Sequence, residues 1–197
     1  FRSVRSGEGK RFFQDADSED ILFSPTSAHV YLLWALERLA WQREYFSGVL
    51  SILARLAGID PGGRRGNSPK NSLITILLPW KPQHTEKMQN AAQVLKMLYS
   101  VSPIVIWDVA IELLPKSHDS TTPTDISAHP GHPAERKVTG KEYWEFVHVL
   151  LEMLIEWTEK NASCWSSLVK VYPEVRRENS DVGQLITDAL KQVSIDS

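Results

Sequence analysis

Apolar residues recur every three or four positions in segment after segment, each bounded by Pro, Gly or a capping hydroxyl, and this restricts the chain to helical folds. The first segment opens at Ser24-Pro25, a capping hydroxyl followed by a proline at the first helical position, and predicts a helix to about Trp41. Val30, Leu33, Trp34 and Ala40 share one face, while Tyr31, Leu32, Leu36 and Leu39 cover most of the rest. Only Glu37 and Arg38 break this apolar girdle, so the helix is expected to be largely buried. The second segment, Glu44 to Ala57, places Tyr45, Phe46, Val49, Leu50, Leu53 and Leu56 at helical spacing. It stops at Gly58, ahead of the Asp60-Pro-Gly-Gly63 turn. Two helices joined so tightly form an antiparallel hairpin.

A basic loop, residues 62–71, leads to Ser72-Leu-Ile-Thr-Ile-Leu-Leu78 before Pro79. That run is too short for periodicity to separate helix from strand, and its helical neighbours favour helix. Thr85 is read as the cap of a helix to Tyr99 with Met88, Ala91, Ala92, Leu95 and Leu98 inward. Ser102-Pro103 repeats the start signal and opens a helix carrying Ile104, Trp107, Val109, Ala110, Leu113 and Leu114 to Pro115, which gives a second hairpin. Residues 116–138 hold three Pro, one Gly and three His with almost no apolar content, the composition of a long surface excursion. Thr139-Gly-Lys-Glu142 spells a capping box and opens the longest helix, to about Lys160. A shorter helix from Ser163 is expected to stop at Tyr172 before Pro173, and a last one to start from a cap at Asp181.

The fold class is therefore all-α, an irregular array of stacked helical hairpins, repeat-like or bundled, with seven or eight helices. Each helix is too amphipathic to persist alone, and a fully buried Leu, Ile or Phe contributes roughly 1.5 to 3 kcal/mol, so the helices must pack on one another. One helical domain is expected over residues 22–197, with loops at 58–71 and 116–138 and a poorly structured segment at 1–21. The start on Phe1 and the short polar end suggest a piece of a larger protein.

Charge narrows the partners. Residues 1–100 carry 13 Lys/Arg against 9 Asp/Glu, and residues 101–197 carry 9 against 15, so neither half has the clustered basic face of a nucleic-acid binder. A weaker possibility of that kind is Arg64 and Arg65 with Lys70 in the basic loop. The single cysteine, Cys164, forms no internal disulfide, which fits a reducing, cytoplasmic compartment. Glu37, Arg38, Asp108 and Glu152 interrupt the apolar runs well short of the roughly 18 to 20 residues a membrane span requires, so no membrane partner is expected.

The residues that carry chemistry do not assemble into a catalytic set, and no cofactor is expected. His118, His129 and His132 can supply imidazole ligands, and a metal-dependent hydrolase built on them is the alternative reading, but Pro and Gly leave that loop with little to fix a coordination geometry. Gly7-Glu-Gly-Lys10 lacks the second glycine spacing and the Ser/Thr of a phosphate loop. Asn161-Ala-Ser163 is a glycosylation sequon, with meaning only in a secreted chain. Cys164 reads as a packed thiol, His29 and His148 as boundary histidines, and Glu142, Glu145, Glu152, Glu156 and Glu159 as a solvated helix face. Six of the seven Trp fall on or beside helices and read mostly as core; Trp80, between Pro79 and Pro82, is the exception and the leading candidate for a partner contact.

The runs LLWALERLAW (32–41), LARLAGIDPGG (53–63), NSLITILLPWKPQ (71–83) and KVTGKEYWEFV (137–147) resemble a helical C-terminal region of large, mostly uncharacterised bacterial proteins. Some of those look like signal-transducing NTPases or conflict-system, antiphage-type proteins that couple an N-terminal NTPase or effector module to a long helical part. The resemblance spans about residues 22–190. Gln42 stands where a small capping residue is expected, and Ser68-Pro69 where Arg-Pro is common. It implies a non-enzymatic sensor, scaffold or protein-interaction region whose partner is a protein ligand or another domain of the same chain. It assigns no catalytic residue.

Overall fold

The computed structural model describes residues 28–61, 67–116, 137–159 and 164–195, and among them it contains eight α-helices and no strand. They are α1 (Ala28–Leu39), α2 (Arg43–Ile59), α3 (Pro69–Leu77), α4 (Met88–Tyr99), α5 (Pro103–Glu112), α6 (Gly140–Glu159), α7 (Trp165–Glu178) and α8 (Ser180–Ile195). The run that begins at Ser72 is thus helical as far as Leu77. Its start lies further back than the apolar pattern suggests, because Ser68 caps it: Ser68 Oγ accepts the amide of Asn71 at 3.1 Å, with Pro69 at the first helical position. The capping box at the head of α6 forms as its spacing requires. Thr139 Oγ1 accepts the Glu142 amide at 3.2 Å and Glu142 Oε2 accepts the Thr139 amide at 3.1 Å.

Several element ends differ from the sequence reading. α2 runs through Gly58 to Ile59 instead of stopping at Gly58, and α5 ends at Glu112, short of Pro115. Thr85 does not cap α4, which begins only at Met88; the Thr85 hydroxyl instead donates to the Trp41 carbonyl at 3.1 Å and ties the preceding loop to the α1–α2 junction. α7 runs through Pro173 to Glu178. The ring removes the bond to the Val169 carbonyl, at a cost of about 3 kcal/mol, but Val169 lies on the exposed side, open to water, while Leu168 and Val175 on either side of the proline are fully buried. The cap of α8 is Asn179, whose Oδ1 accepts the Val182 amide at 3.2 Å, and Asp181 sits in the first turn, where its charge complements the helix dipole.

α5 organises the packing. It touches α2, α3, α4, α6 and α7, so its Ile106, Val109 and Ala110 are inaccessible to water. α4 lies between α5 and α6, and α8 packs on α6 and α7. A single core runs from Leu33 of α1 to Ile186 of α8. Neighbours in this bundle are thus often remote in sequence, and the stacked hairpins close around a shared centre. Aromatic packing joins three helices there: Tyr99 of α4 stacks on Trp157 of α6 at 3.8 Å, and Trp107 of α5 leans on the same indole at 6.5 Å. Polar contacts reinforce the seam between α4 and α6, where Lys96 meets Glu156 at 2.8 Å and Gln89 donates to Glu145 at 3.0 Å. Part of the glutamate row therefore pins a neighbouring helix. α7 and α8 approach so closely that a Cβ added to Gly183 would lie 2.8 Å from the Arg176 Cα.

α1 lies at the margin of this bundle, with α2 and α3 as its neighbours. That position decides which of its side chains meet water.

Candidate functional site

At 100° per residue, the buried side chains of α1 fall on one arc: Val30, Leu33, Leu36, Glu37 and Ala40. The opposite arc holds Tyr31, Leu32, Trp34, Ala35, Arg38 and Leu39, all exposed. Tyr31 is 56% exposed, Trp34 43%, Leu39 39% and Leu32 37%, and the Tyr31 and Trp34 rings meet edge to face at 5.7 Å. The expectation that α1 is largely buried is therefore corrected. Among the described residues α2 and α3 are its main covering helices, and half of the apolar girdle is exposed. The two arcs are about equally apolar: the inner one holds a single carboxylate, Glu37, and the outer one a single cation, Arg38.

Glu37 is accommodated by α3. Ser72 Oγ donates to Glu37 Oε1 at 2.6 Å, and burial raises the carboxyl pKa above its ordinary value despite that bond. Beneath the α1–α2 junction the loop after α3 forms a polar corner. His84 is fully buried with its ring 4.7 Å from Phe46; Glu86 meets Arg43 at 2.6 Å and accepts from Asn90 at 2.7 Å. The Asn90 hydrogen bond, followed by Arg43, holds the Glu86 carboxyl below its usual value. An imidazole with no exposed surface does not touch a substrate, and a carboxylate already bonded on both oxygens is not a free base. The corner fixes the loop against α2, and its role is architectural.

The sequence candidates scatter. Trp80 is half-buried between the buried Pro79 and Pro82, so it projects less than its flanking prolines suggest. Lys70 meets Asp108 of α5 at 3.3 Å, which engages it within the bundle. Arg64, Arg65, His118, His129 and His132 lie outside the described residues, as do Gly7 to Lys10. Cys164 is a free, half-buried thiol at the head of α7. Of the Trp residues, Trp41 and Trp157 are buried, Trp80, Trp107, Trp144 and Trp165 half-buried, and Trp34 exposed. Among the described residues no group of three or more His, Cys, Asp or Glu is arranged to hold a metal ion, and no helix is long and apolar enough to cross a membrane.

Two other surface features compete with α1. Tyr172 of α7 hydrogen-bonds Thr187 of α8 at 3.0 Å and accepts from Arg176, and those bonds lower its pKa; they also join the two helices. Met97, Val101 and Ile104 form an exposed aliphatic spot at the α4–α5 turn, with Ile104 79% exposed. The α1 arc is longer and carries the aromatic rings that dominate binding energy at protein interfaces. Sequence reasoning assigned Tyr31 and Trp34 to the core because the helix is apolar all round. The one available signal was Arg38, four residues after Trp34 and seven after Tyr31 on the same stripe.

No protein-family model, curated protein or solved structure matches this chain.

Proposed function

We propose that this chain is a non-catalytic interaction, sensor or scaffold region of a larger cytoplasmic bacterial protein, and that it binds protein through the outward face of α1. The observation that carries this reading is the exposure of Tyr31, Leu32, Trp34 and Leu39 together on one helix. Clustered exposed apolar side chains are a common mark of interaction sites, and aromatic anchors contribute most of the binding energy there. The reading draws further support from the architectural employment of the buried ionisable groups Glu37, His84 and Glu86. Any NTPase or effector chemistry, as the family resemblance implies, belongs to other parts of the parent protein.

A photo-crosslinking residue at position 34, introduced into the chain expressed in bacterial cells, tests the face directly. The expected result is covalent protein adducts that the same label at the exposed Arg177 of α7 does not give. Equal labelling from both positions contradicts the assignment, and so does hydrolysis of nucleotides or a model ester by the purified chain in proportion to its concentration.

A further inference from the structure

The arc by which α1 is docked contains an ionisable group. Its buried residues are Val30, Leu33, Leu36, Glu37 and Ala40, and α2 and α3 are the helices α1 chiefly meets. Four of the five are apolar and indifferent to pH; Glu37 is not. Ser72 of α3 donates to Glu37 Oε1 at 2.6 Å, across the boundary between the two helices. A neutral carboxyl is tolerated at such a boundary, whereas a carboxylate there needs a cation or several donors in place of its lost water. The charged residues of the two covering helices are Arg43, Glu44 and Arg55 of α2 and Lys70 of α3. Arg43 is engaged by Glu86 and Lys70 by Asp108, while Glu44 and Arg55 are exposed, as is Arg38 on the opposite arc of α1. Among the described residues it is burial, and against it the Ser72 hydroxyl, that sets the titration of Glu37, which lies above the ordinary 4.5.

The position of α1 makes this group a local one. α5, the helix at the centre, has α2, α3, α4, α6 and α7 as its main neighbours, so its surroundings stay complete when α1 lifts away. Proteins that melt in one transition still open at their margins, at a smaller free energy than global unfolding requires. A helix of 12 residues is marginal in water on its own, so the backbone bonds of α1 break once it undocks.

We propose that Glu37 is a proton-dependent latch for α1: the helix docks on α2 and α3 with the carboxyl neutral, and ionisation of that carboxyl lets α1 lift off locally while the core around α5 stays folded. Docking is strongest below 4.5, where Glu37 is protonated whether α1 is docked or free. It weakens as pH rises through the higher value of the docked state. Over that interval the opened minority grows by up to about tenfold per pH unit, one proton being released per opening, and then levels off. The latch concerns docking alone and stands whether or not the outward face binds protein.

Amide hydrogen exchange of the 197-residue chain between about pH 5 and 8, read residue by residue and corrected for intrinsic rates, tests it. The Ala40 amide, which donates to the Leu36 carbonyl at 2.9 Å, reports on α1, and the Val109 and Ala110 amides report on α5. Protection at Ala40 is expected to be lower than at Val109 and Ala110, insensitive to dilute urea because little surface opens, and to fall as pH rises. In Glu37→Gln it is expected not to change with pH. Ser72→Ala removes the donor that the carboxylate uses, so it is expected to extend the fall at Ala40 to higher pH, and to add no pH dependence in a Glu37→Gln background. Exchange of Ala40 only together with Val109 and Ala110, protection at Ala40 that is independent of pH in the wild type, or the same pH course in Glu37→Gln or Ser72→Ala as in the wild type overturns the proposal.

Discussion

Glu37 shows how strongly position outweighs residue type in α1. Its carboxylate lies on the side of the helix that meets α3, where burial disfavours the charge, and the Ser72 hydroxyl offsets only part of that cost. Because the folded pKa is raised above its ordinary 4.5, the contribution of Glu37 to stability is fully present below that value. It is lost as pH rises through the folded pKa. Glu37→Gln, which keeps an acceptor for Ser72, is therefore expected to melt at a higher temperature than the wild type at pH 7. Thermal melts between pH 4 and 8 are expected to show that advantage shrink as pH falls; an advantage independent of pH would mean that the charge is not the cost. The same helix explains what the residues reveal and what they conceal. An alternation of apolar and polar positions identifies a buried face, but α1 is apolar around its whole circumference, so Tyr31 and Trp34 are indistinguishable from Leu33 and Leu36 until the neighbours are known. The number of covering helices is a tertiary fact, and the outward face followed from it.

At the scale of elements, short-range chemistry was the most legible. Thr139 and Glu142 form the capping box their spacing spells, and Pro103 opens α5 at its first position, although the Ser102 hydroxyl makes no capping hydrogen bond. The seven-residue run at 72–78 was ambiguous by periodicity and is helical as far as Leu77 because α2 and α5 both pack against α3. Pro173 misleads for the opposite reason: a local rule predicts a stop, and buried contacts at Leu168 and Val175 carry α7 past it. Two glycines separate local preference from packing in a measurable way. Gly48 is exposed in the middle of α2 with nothing within 4 Å of an added Cβ, so Gly48→Ala is expected to stabilise by about 0.5 to 1 kcal/mol through helix propensity alone. Gly183 has the same propensity to gain, yet its added methyl would meet the backbone of Arg176 at 2.8 Å. Gly183→Ala is expected to lose about 1 to 3 kcal/mol, since α7 and α8 must separate to admit it. Urea denaturation of the two variants checks the pair, and equal stabilisation would show that α7 and α8 are not closely packed.

Over the whole molecule, the all-α class and the approximate number of helices could be read from the pattern of apolar residues, whereas the arrangement around α5 could not. Nothing in the sequence of α5 announces that it touches five other helices; its apolar residues resemble those of its neighbours. The arrangement has a thermodynamic consequence. Hairpins that met only their sequence neighbours would unfold piecemeal, as linear repeat arrays do, while helices sharing one continuous core unfold together. Leu33 and Leu36 of α1 belong to that shared core, so the functional reading depends on it. The direct measurement is urea unfolding of wild type and Ile106→Ala, followed in parallel by far-ultraviolet circular dichroism and tryptophan fluorescence. Ile106 lies fully buried on α5. The account predicts coincident single transitions from both probes, shifted together by a loss of about 2 to 5 kcal/mol in the variant. Separate transitions, with one set of helices melting unaffected by Ile106→Ala, would contradict it.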